Sequence, residues 1–351
     1  MNKTVRSIVV AMSATAVLAG IASAQSVDLT GAGATFPYPI YSKWFSDYAQ
    51  ATGVKINYQS IGSGGGIRQL SEQTVDFGAS DGPMTDQELA QAKGGAVLHF
   101  PTVMGAVVIT YNVPGVAKPL NFSGEVIADI FSGKITKWND ARIVAQNHGV
   151  TLPNSDILVV HRSDGSGTTY IFSDYLTSVS PPWSSTLGKG KDIKWPVGLG
   201  GKGNEGVAGQ VKQTPGSIGY IELAYAKQNQ LPSANIRNAD GRFVMPSIAS
   251  VTAAAASMKL PKNTDYRISI VNAPGKDSYP ISSMTWILVY QNQSDRVKGT
   301  KLVNFLRWAY RDGEKSAATL DYAPLPASMV SQLQSRLKTI RVDGTRIGDT
   351  R

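Results

Sequence analysis

Segments rich in Val, Ile and Tyr alternate along the chain with stretches in which apolar residues recur every three or four positions. In residues 39–51, for example, Ile40, Trp44, Phe45 and Tyr48 fall on one face of a helix. Later, residues 281–290 form a long β-rich run, and the C-terminal region returns to helical spacing. This alternation predicts α/β architecture with mostly parallel sheets.

The predicted elements are short and closely spaced. Thr85 to Glu88 have the pattern of a capping box, which predicts a helix start. The apolar run 97–111 contains Pro101 and Gly105, so we expect two extended segments joined by a crossover. Further helices are predicted at 39–51, 67–73, 125–131 and 169–176, and strands at 54–59, 75–80 and 157–160.

Two extended crossovers, near 101–105 and 276–283, flank a middle block of the chain. The simplest division is a discontinuous first lobe, residues 25–102 plus 279–351, with a second lobe of residues 103–278 inserted into it. Two hinge strands would join the lobes, and a ligand would bind in the cleft between them.

The N-terminal segment has the profile of a signal peptide. Lys3 and Arg6 precede an apolar run from Ile8 to Ile21, and a small-x-small pattern ends at Ala24. We therefore expect residues 1–24 to be removed on export. No later segment approaches 18 apolar residues, so the remaining chain is expected to be soluble outside the cytoplasm.

The chain contains no cysteine, so its core has to be stable without disulfides. A lipid anchor on an exported bacterial protein also requires cysteine, which predicts a freely diffusing periplasmic protein. The formal charge of +9 favours anionic partners only weakly, because the Lys and Arg residues are scattered. Export argues against nucleic acid as a partner.

Three glycine-rich turns stand between a predicted strand and a predicted helix, each with hydroxyl residues. Glycine lets the backbone approach a ligand, and the free N–H groups of a helix N-terminus favour an anion. A single turn of this kind is ordinary capping, but three converging turns predict an oxyanion pocket. They are Gly31 to Pro37, Ile61 to Gly66, and Asp164 to Thr169.

Charged residues adjoin these turns. Arg162 precedes the third turn, where its guanidinium could hold two anion oxygens while Asp164 orients it. Asp81 ends a predicted strand at the sheet edge where ligands bind. A carboxylate there is useful if the anion still carries a proton, since HPO4 can donate a hydrogen bond to it and sulfate cannot.

Four motifs together resemble the phosphate-binding proteins of the phosphate-specific ABC transport system, the PstS family. They are Leu29 to Pro37, Val75 to Asp81, Asp164 to Thr168, and Trp195 to Asn204, and the resemblance spans essentially the whole chain after residue 24. It implies the periplasmic binding protein (type II) fold, with two α/β lobes. It also implies a monomer without cofactor or metal that delivers phosphate to an inner-membrane permease complex of two membrane subunits plus an ATPase.

The resemblance implies a set of phosphate contacts, with Asp164 as the partner of the arginine. Gly64 stands where relatives often have Ser, and His161 where Arg is common, but neither position is an expected contact. The expected contacts are Thr35, Phe36 through its backbone N–H, Ser63, Asp81 as proton acceptor, Arg162, Ser166, Gly167 and Thr168.

Other functions fit the sequence less well. Gly198 to Gly203 match G-x-G-x-x-G, with Glu222 at a plausible distance for a ribose contact, but the preceding strand would contain Pro196. A phosphatase would need a metal cluster or an activated nucleophile, and the three histidines are far apart in sequence. A general oxyanion receptor, or a phosphate sensor or adhesive surface protein without a transport role, remains an alternative.

Overall fold

A computed structural model describes residues 29–116, 118–258 and 264–347. The predicted signal peptide, residues 1–24, lies outside the described residues. Among the described residues, no helix combines the length and the apolar character that crossing a membrane requires.

Strands and helices alternate along the described chain. The strands are β1 (Leu29–Gly33), β2 (Ile56–Ser60), β3 (Phe77–Ser80), β4 (Val97–Asn112), β5 (Asn121–Phe122), β6 (Leu158–Arg162), β7 (Leu199–Gly201), β8 (Ser217–Glu222), β9 (Asn235–Arg237), β10 (Phe243–Val244), β11 (Ser282–Tyr290), β12 (Asn292–Gln293), β13 (Arg341–Val342) and β14 (Thr345–Arg346).

The helices are α1 (Tyr38–Thr52), α2 (Ser63–Ser71), α3 (Asp86–Ala90), α4 (Gly124–Phe131), α5 (Ala141–Val144), α6 (Gly167–Val179), α7 (Pro181–Thr186), α8 (Gly203–Gln213), α9 (Leu223–Gln228), α10 (Ile248–Ala256), α11 (Arg296–Arg311) and α12 (Ala327–Leu337). Two 3-10 helices, Gly313–Ser316 and Ala318–Leu320, follow α11. The predicted capping box at Thr85 and Glu88 is present at the start of α3.

The strands form one eight-stranded sheet in the order β2-β1-β3-β11-β4-β8-β6-β7, and two small three-stranded sheets. The large sheet is mixed rather than mostly parallel, because β11 and β4 run antiparallel to their neighbours at its centre. Its outer strand pairs are parallel, and their carboxyl ends carry the turns into α1, α2 and α6.

The prediction of two segments across residues 97–111 was wrong. β4 is one continuous strand of 16 residues that pairs with β11 in its first half and with β8 in its second. Pro101 lies at a register shift opposite Trp286, where the ladder is already irregular. Gly105 permits close packing, since a Cβ there would lie 2.7 Å from the ring of Phe36.

The second helix begins at Ser63, four residues before the predicted start. The glycines that suggested a loop lie inside its first turns, where tertiary contact outweighs their low helix propensity. A Cβ on Gly66 would lie only 3.0 Å from the carbonyl carbon of Ala32, so the glycine lets α2 pack closely on β1. Gly62, with φ of 88°, makes the actual turn.

The predicted lobe boundaries remain predictions, and we keep the names first and second lobe for that division. The boundary at 102 falls inside β4, and the boundary at 278 falls just before β11. These two buried strands therefore connect the two ends of the large sheet. The turns that carry the predicted site lie where the two lobes meet.

Candidate functional site

The turn between β1 and α1 places Thr35 and Phe36 at the meeting of the lobes, with both residues buried. Hydrogen bonds to three successive carbonyl groups of this turn fix the orientation of its peptide groups. Each accepts a hydrogen bond from a tyrosine hydroxyl: Tyr58 to Ala34 O (2.8 Å), Tyr225 to Thr35 O (2.6 Å) and Tyr322 to Phe36 O (2.6 Å).

The second turn leads from β2 into α2. Ser63 is the first residue of the helix and is fully buried. Because the first N–H groups of a helix have no intrahelical acceptor, this terminus presents donors toward the other lobe. One of these donors, the N–H of Gly64, forms a hydrogen bond to the second lobe, with Gly165 O as acceptor at 2.8 Å.

The third turn leads into α6. Ser166 is the N-cap residue, and its Oγ accepts the N–H of Thr169 at 3.0 Å. Gly167 and Thr168 follow in the first turn, where their N–H groups lack intrahelical acceptors. Gly167 faces the first lobe closely, because a Cβ there would lie 2.6 Å from Asp81 Oδ2. Glycine is therefore required at this position.

Arg162 supplies a buried guanidinium beside α6, with 3% of its surface exposed. Its Nε and Nη2 bind both oxygens of Asp164, at 2.8 and 2.5 Å, and Nη1 donates to Thr168 Oγ1 at 3.1 Å. Each Nη atom keeps one further N–H. Burial would raise the pKa of Asp164, but the hydrogen bonds and charge of Arg162 outweigh it and lower that pKa.

Asp81 is the buried carboxyl group at this surface, with 1% exposure. Its Oδ1 accepts the hydroxyl of Thr285 at 2.8 Å, which leaves Oδ2 on the side of Gly167. Burial raises its pKa to about 7, although Thr285 and the charge of Arg162 act in the opposite direction. The group therefore changes protonation near neutral pH.

Asn204, at the start of α8, links the predicted residues of the two lobes. Its Nδ2 donates to Thr35 Oγ1 at 2.8 Å and to Thr168 Oγ1 at 3.1 Å. The backbone N–H of Glu222 donates to Asn204 Oδ1 at 2.9 Å, which fixes the orientation of the amide. Asn204 is fully buried.

Four hydroxyl groups at this surface share one arrangement: each accepts an N–H from the protein. A hydroxyl whose acceptor side is occupied in this way retains its proton for another acceptor. The site therefore offers hydroxyl donors, helix N-termini and a guanidinium, together with the carboxyl group of Asp81 and that of Asp164, which is paired with the guanidinium. The four are Thr35, from Asn204; Ser63, from the N–H of Asp81 at 3.2 Å; Ser166, from Thr169; and Thr168, from Arg162 and Asn204.

All the predicted contact residues and Asp164 thus lie at one surface between the lobes. Their contacts with phosphate remain a prediction. The sequence analysis did not assign Asn204, although one of the four motifs ends there. The signal available in the sequence was an amide residue directly after a glycine at a helix start. Thr285 lies 204 residues after Asp81 in the sequence, and no pattern near either residue indicates that their side chains meet.

The glycine-rich segment that matches G-x-G-x-x-G does form a strand-to-helix turn, from β7 into α8. Residues 194–197 are not a strand, however, and Glu222 is fully buried, so a ribose could not reach it. In the parts of the chain that the structure describes, His, Asp and Glu form no group of three or more that could hold a metal ion.

A family model described as a PBP superfamily domain matches residues 19–312 of the chain. A protein named phosphate-binding protein PstS from Pasteurella multocida is 49% identical over 317 residues, which cover 90% of this chain and 91% of the relative. A protein of the same name from Haemophilus influenzae is 49% identical over 319 residues, covering 90% and 94%.

Among solved structures, a high-affinity periplasmic phosphate-binding protein bound with phosphate at pH 8.5 resembles this chain with a TM-score of 0.75. The two are 21% identical, and the match covers 92% of this chain and 97% of the other. This likeness confirms the predicted two-lobed α/β fold.

Proposed function

Because the chain belongs to the PBP superfamily and, within it, to the PstS family of phosphate-binding proteins, we propose that it binds inorganic phosphate in the cleft between its lobes. The observation that carries the proposal is the set of hydroxyl groups whose acceptor sides are occupied by protein N–H groups, beside the guanidinium of Arg162. Such a surface donates hydrogen bonds from many directions, as a tetrahedral oxyanion requires.

The proposed ligands from the first lobe are Thr35, Phe36, Ser63 and Asp81. Those from the second lobe are Arg162, Ser166, Gly167 and Thr168. Charge-assisted hydrogen bonds contribute about 1.5 to 3 kcal/mol each before the costs of ordering and desolvation. With this many donors, we expect submicromolar binding, which corresponds to a free energy beyond about −8 kcal/mol.

Asp81 would give the site its selectivity. When ionised, its free Oδ2 can accept a hydrogen bond from the hydroxyl group of HPO4, whereas sulfate has no proton to donate at neutral pH. Sulfate would then leave a buried carboxylate unpaired and facing negative charge. A site built to hydrogen-bond one group can reject an analogue lacking it by a factor of about 10^4 or more.

The proposed role is delivery of phosphate to an inner-membrane ABC importer with two membrane subunits and an ATPase. The family consists of solute-binding proteins, and we infer that this chain is likewise not an enzyme. We further propose that residues 1–24 are cleaved on export, and that the mature protein is a periplasmic monomer without a lipid anchor. Closure of the first lobe (25–102 plus 279–351) on the second (103–278) would enclose the ligand.

Calorimetric titration of phosphate-stripped protein with phosphate, and then with sulfate, tests the binding proposal. We expect tight phosphate binding and no sulfate heat at neutral to mildly alkaline pH. Millimolar phosphate affinity would overturn the proposal. Equal binding of sulfate would instead indicate a general oxyanion receptor.

Phosphate uptake by cells that lack the gene tests the transport role separately. We expect high-affinity uptake to be lost, and to return with the wild-type gene but not with a variant that cannot bind phosphate. Unchanged high-affinity uptake in the deletion strain would argue for a sensor or another role without transport.

A further inference from the structure

Behind the Thr35–Phe36 turn, a segment of the second lobe touches the first lobe through residues that are not themselves expected ligand contacts. The hydroxyl of Tyr225, in α9, donates to Thr35 O at 2.6 Å. Glu222, at the end of β8, lies 3.2 Å from the hydroxyl oxygen of Tyr322, which belongs to the first lobe. Lys227 and Asp321 form an ion pair at the rim of the same contact.

The protons in this contact can be assigned from its geometry. The hydroxyl oxygen of Tyr322 lies 2.6 Å from Phe36 O, and a carbonyl oxygen can only accept, so the single phenol proton is used there. The 3.2 Å approach of Glu222 Oε2 to the same phenol oxygen then needs a second proton. A proton on Glu222 would supply this second hydrogen bond, with Glu222 as the donor to Tyr322.

The surroundings of Glu222 agree with a neutral side chain. It is fully buried, and its Oε1 has no hydrogen-bond partner among the described residues. Leaving a charged oxygen in that position would be costly. Burial raises the pKa of Glu222 well above its usual value, and the negative charge of Asp321 acts in the same direction. The N–H of Ala224 donates to Oε2 at 2.7 Å and holds the carboxyl group in place.

We propose that Glu222, in its protonated form, is a positioning residue that acts through Tyr322 and alongside Tyr225 to hold the Thr35–Phe36 turn against the second lobe. We call these three residues the latch. Resting on the proposed function, this inference assigns the latch control over how fast phosphate is released. The latch presents the turn's donors to the ligand without touching the ligand itself.

The comparison of Glu222→Gln with Glu222→Leu tests the role. Glutamine keeps the shape and neutrality of a protonated glutamate, and at the position of Oε2 its amide can either donate to Tyr322 or accept the N–H of Ala224, whereas leucine can do neither. We expect Glu222→Leu to release phosphate about tenfold faster in stopped-flow measurements, the effect of one lost hydrogen bond, with little change in the association rate. Glu222→Gln keeps one of the two hydrogen bonds at this position and should release phosphate at a rate between those of wild type and Glu222→Leu.

Two further variants separate the latch from general stability. Tyr225→Phe removes one hydroxyl and should also accelerate release, even if Glu222→Leu fails to fold. Lys227→Ala breaks an ion pair with a 54% exposed lysine side chain and should leave release unchanged. Melting temperatures without phosphate report any general loss of stability.

Infrared difference spectra between wild type and Glu222→Gln, at mildly alkaline pH, should show the C=O band of a protonated carboxyl group. Absence of that band would overturn the protonated latch. Wild-type release rates in both folded Glu222→Leu and Tyr225→Phe would overturn it too. Failure of the wild-type protein to bind phosphate would instead refute the proposed function, and the latch with it.

Discussion

The hydroxyl of Thr285 donates to Asp81 Oδ1 at 2.8 Å, and this hydrogen bond joins β11 to the turn after β3. It occupies one carboxyl oxygen of Asp81 and leaves the other on the side of Gly167. The strand that links the lobes therefore orients the carboxyl group that we propose as a ligand contact. Several consequences can be measured.

Replacing Asp81 with Asn should reduce discrimination between phosphate and sulfate. The amide supplies N–H donors at a position where the carboxylate only accepts, so a sulfate oxygen would gain a partner. We expect sulfate binding to become measurable by calorimetry in Asp81→Asn. Asp47→Asn, which changes an exposed carboxyl group in α1, should leave both affinities unchanged. Continued exclusion of sulfate by Asp81→Asn would contradict the assigned role.

Removal of the buried guanidinium should weaken phosphate binding strongly. Arg162→Ala is expected to lose about 2 to 5 kcal/mol of binding free energy, because the guanidinium is desolvated and Asp164 would remain unpaired. Lys202→Ala removes an exposed cation near the same turn and should change binding little. Comparable losses in the two variants, measured by calorimetry, would show that the pocket has been assigned to the wrong residues.

Asp81 should make the stability of the phosphate-free protein depend on pH. Its pKa rises from 3.8 to about 7 on folding, so the folded protein binds this proton more tightly than the unfolded chain. The stabilising contribution is complete below about pH 4 and is lost as pH rises through about 7, with a magnitude of up to about 4 kcal/mol.

Urea unfolding of wild type and Asp81→Asn across this pH range isolates the contribution. Burial also raises the pKa of Glu314 to about 8, but that residue is present in both proteins. Relative to Asp81→Asn, wild type should lose stability between pH 4 and 7. Parallel pH profiles would argue against the raised pKa of Asp81.

Thr285→Val should weaken phosphate binding by about tenfold, because a buried carboxylate oxygen loses its hydroxyl partner. The same loss should raise the pKa of Asp81 further and shift the onset of tight binding to higher pH. Thr110→Val is a matched control in β4, since the buried hydroxyl of Thr110 has no hydrogen-bond partner among the described residues. Equal effects of the two substitutions, in titrations at several pH values, would contradict this role of Thr285.

Much of the architecture followed from local patterns. The helical face containing Trp44 and the capping box at Thr85 were predicted because spacing and capping depend on residues only a few positions apart. Sequence reasoning failed where distant packing decides. β4 is continuous because it accommodates one extra residue, Thr102, beside Pro101 as a bulge in its pairing with β11. α2 starts early because Gly66 lets it pack closely on β1.

The family, the alternation of strands and helices, and the glycine-rich turns whose free N–H groups suit an anion can all be predicted from the sequence. Local chemistry is sufficient for these, since a glycine conformation or a helix cap depends on adjacent residues. The distant groups that complete the turns depend on the packing of the folded chain. They are Thr285 on Asp81, Asn204 between Thr35 and Thr168, and Glu222 behind Phe36. A side chain that is distant in sequence becomes a hydrogen-bond partner only when packing places it there, and the local sequence does not indicate which side chain that will be.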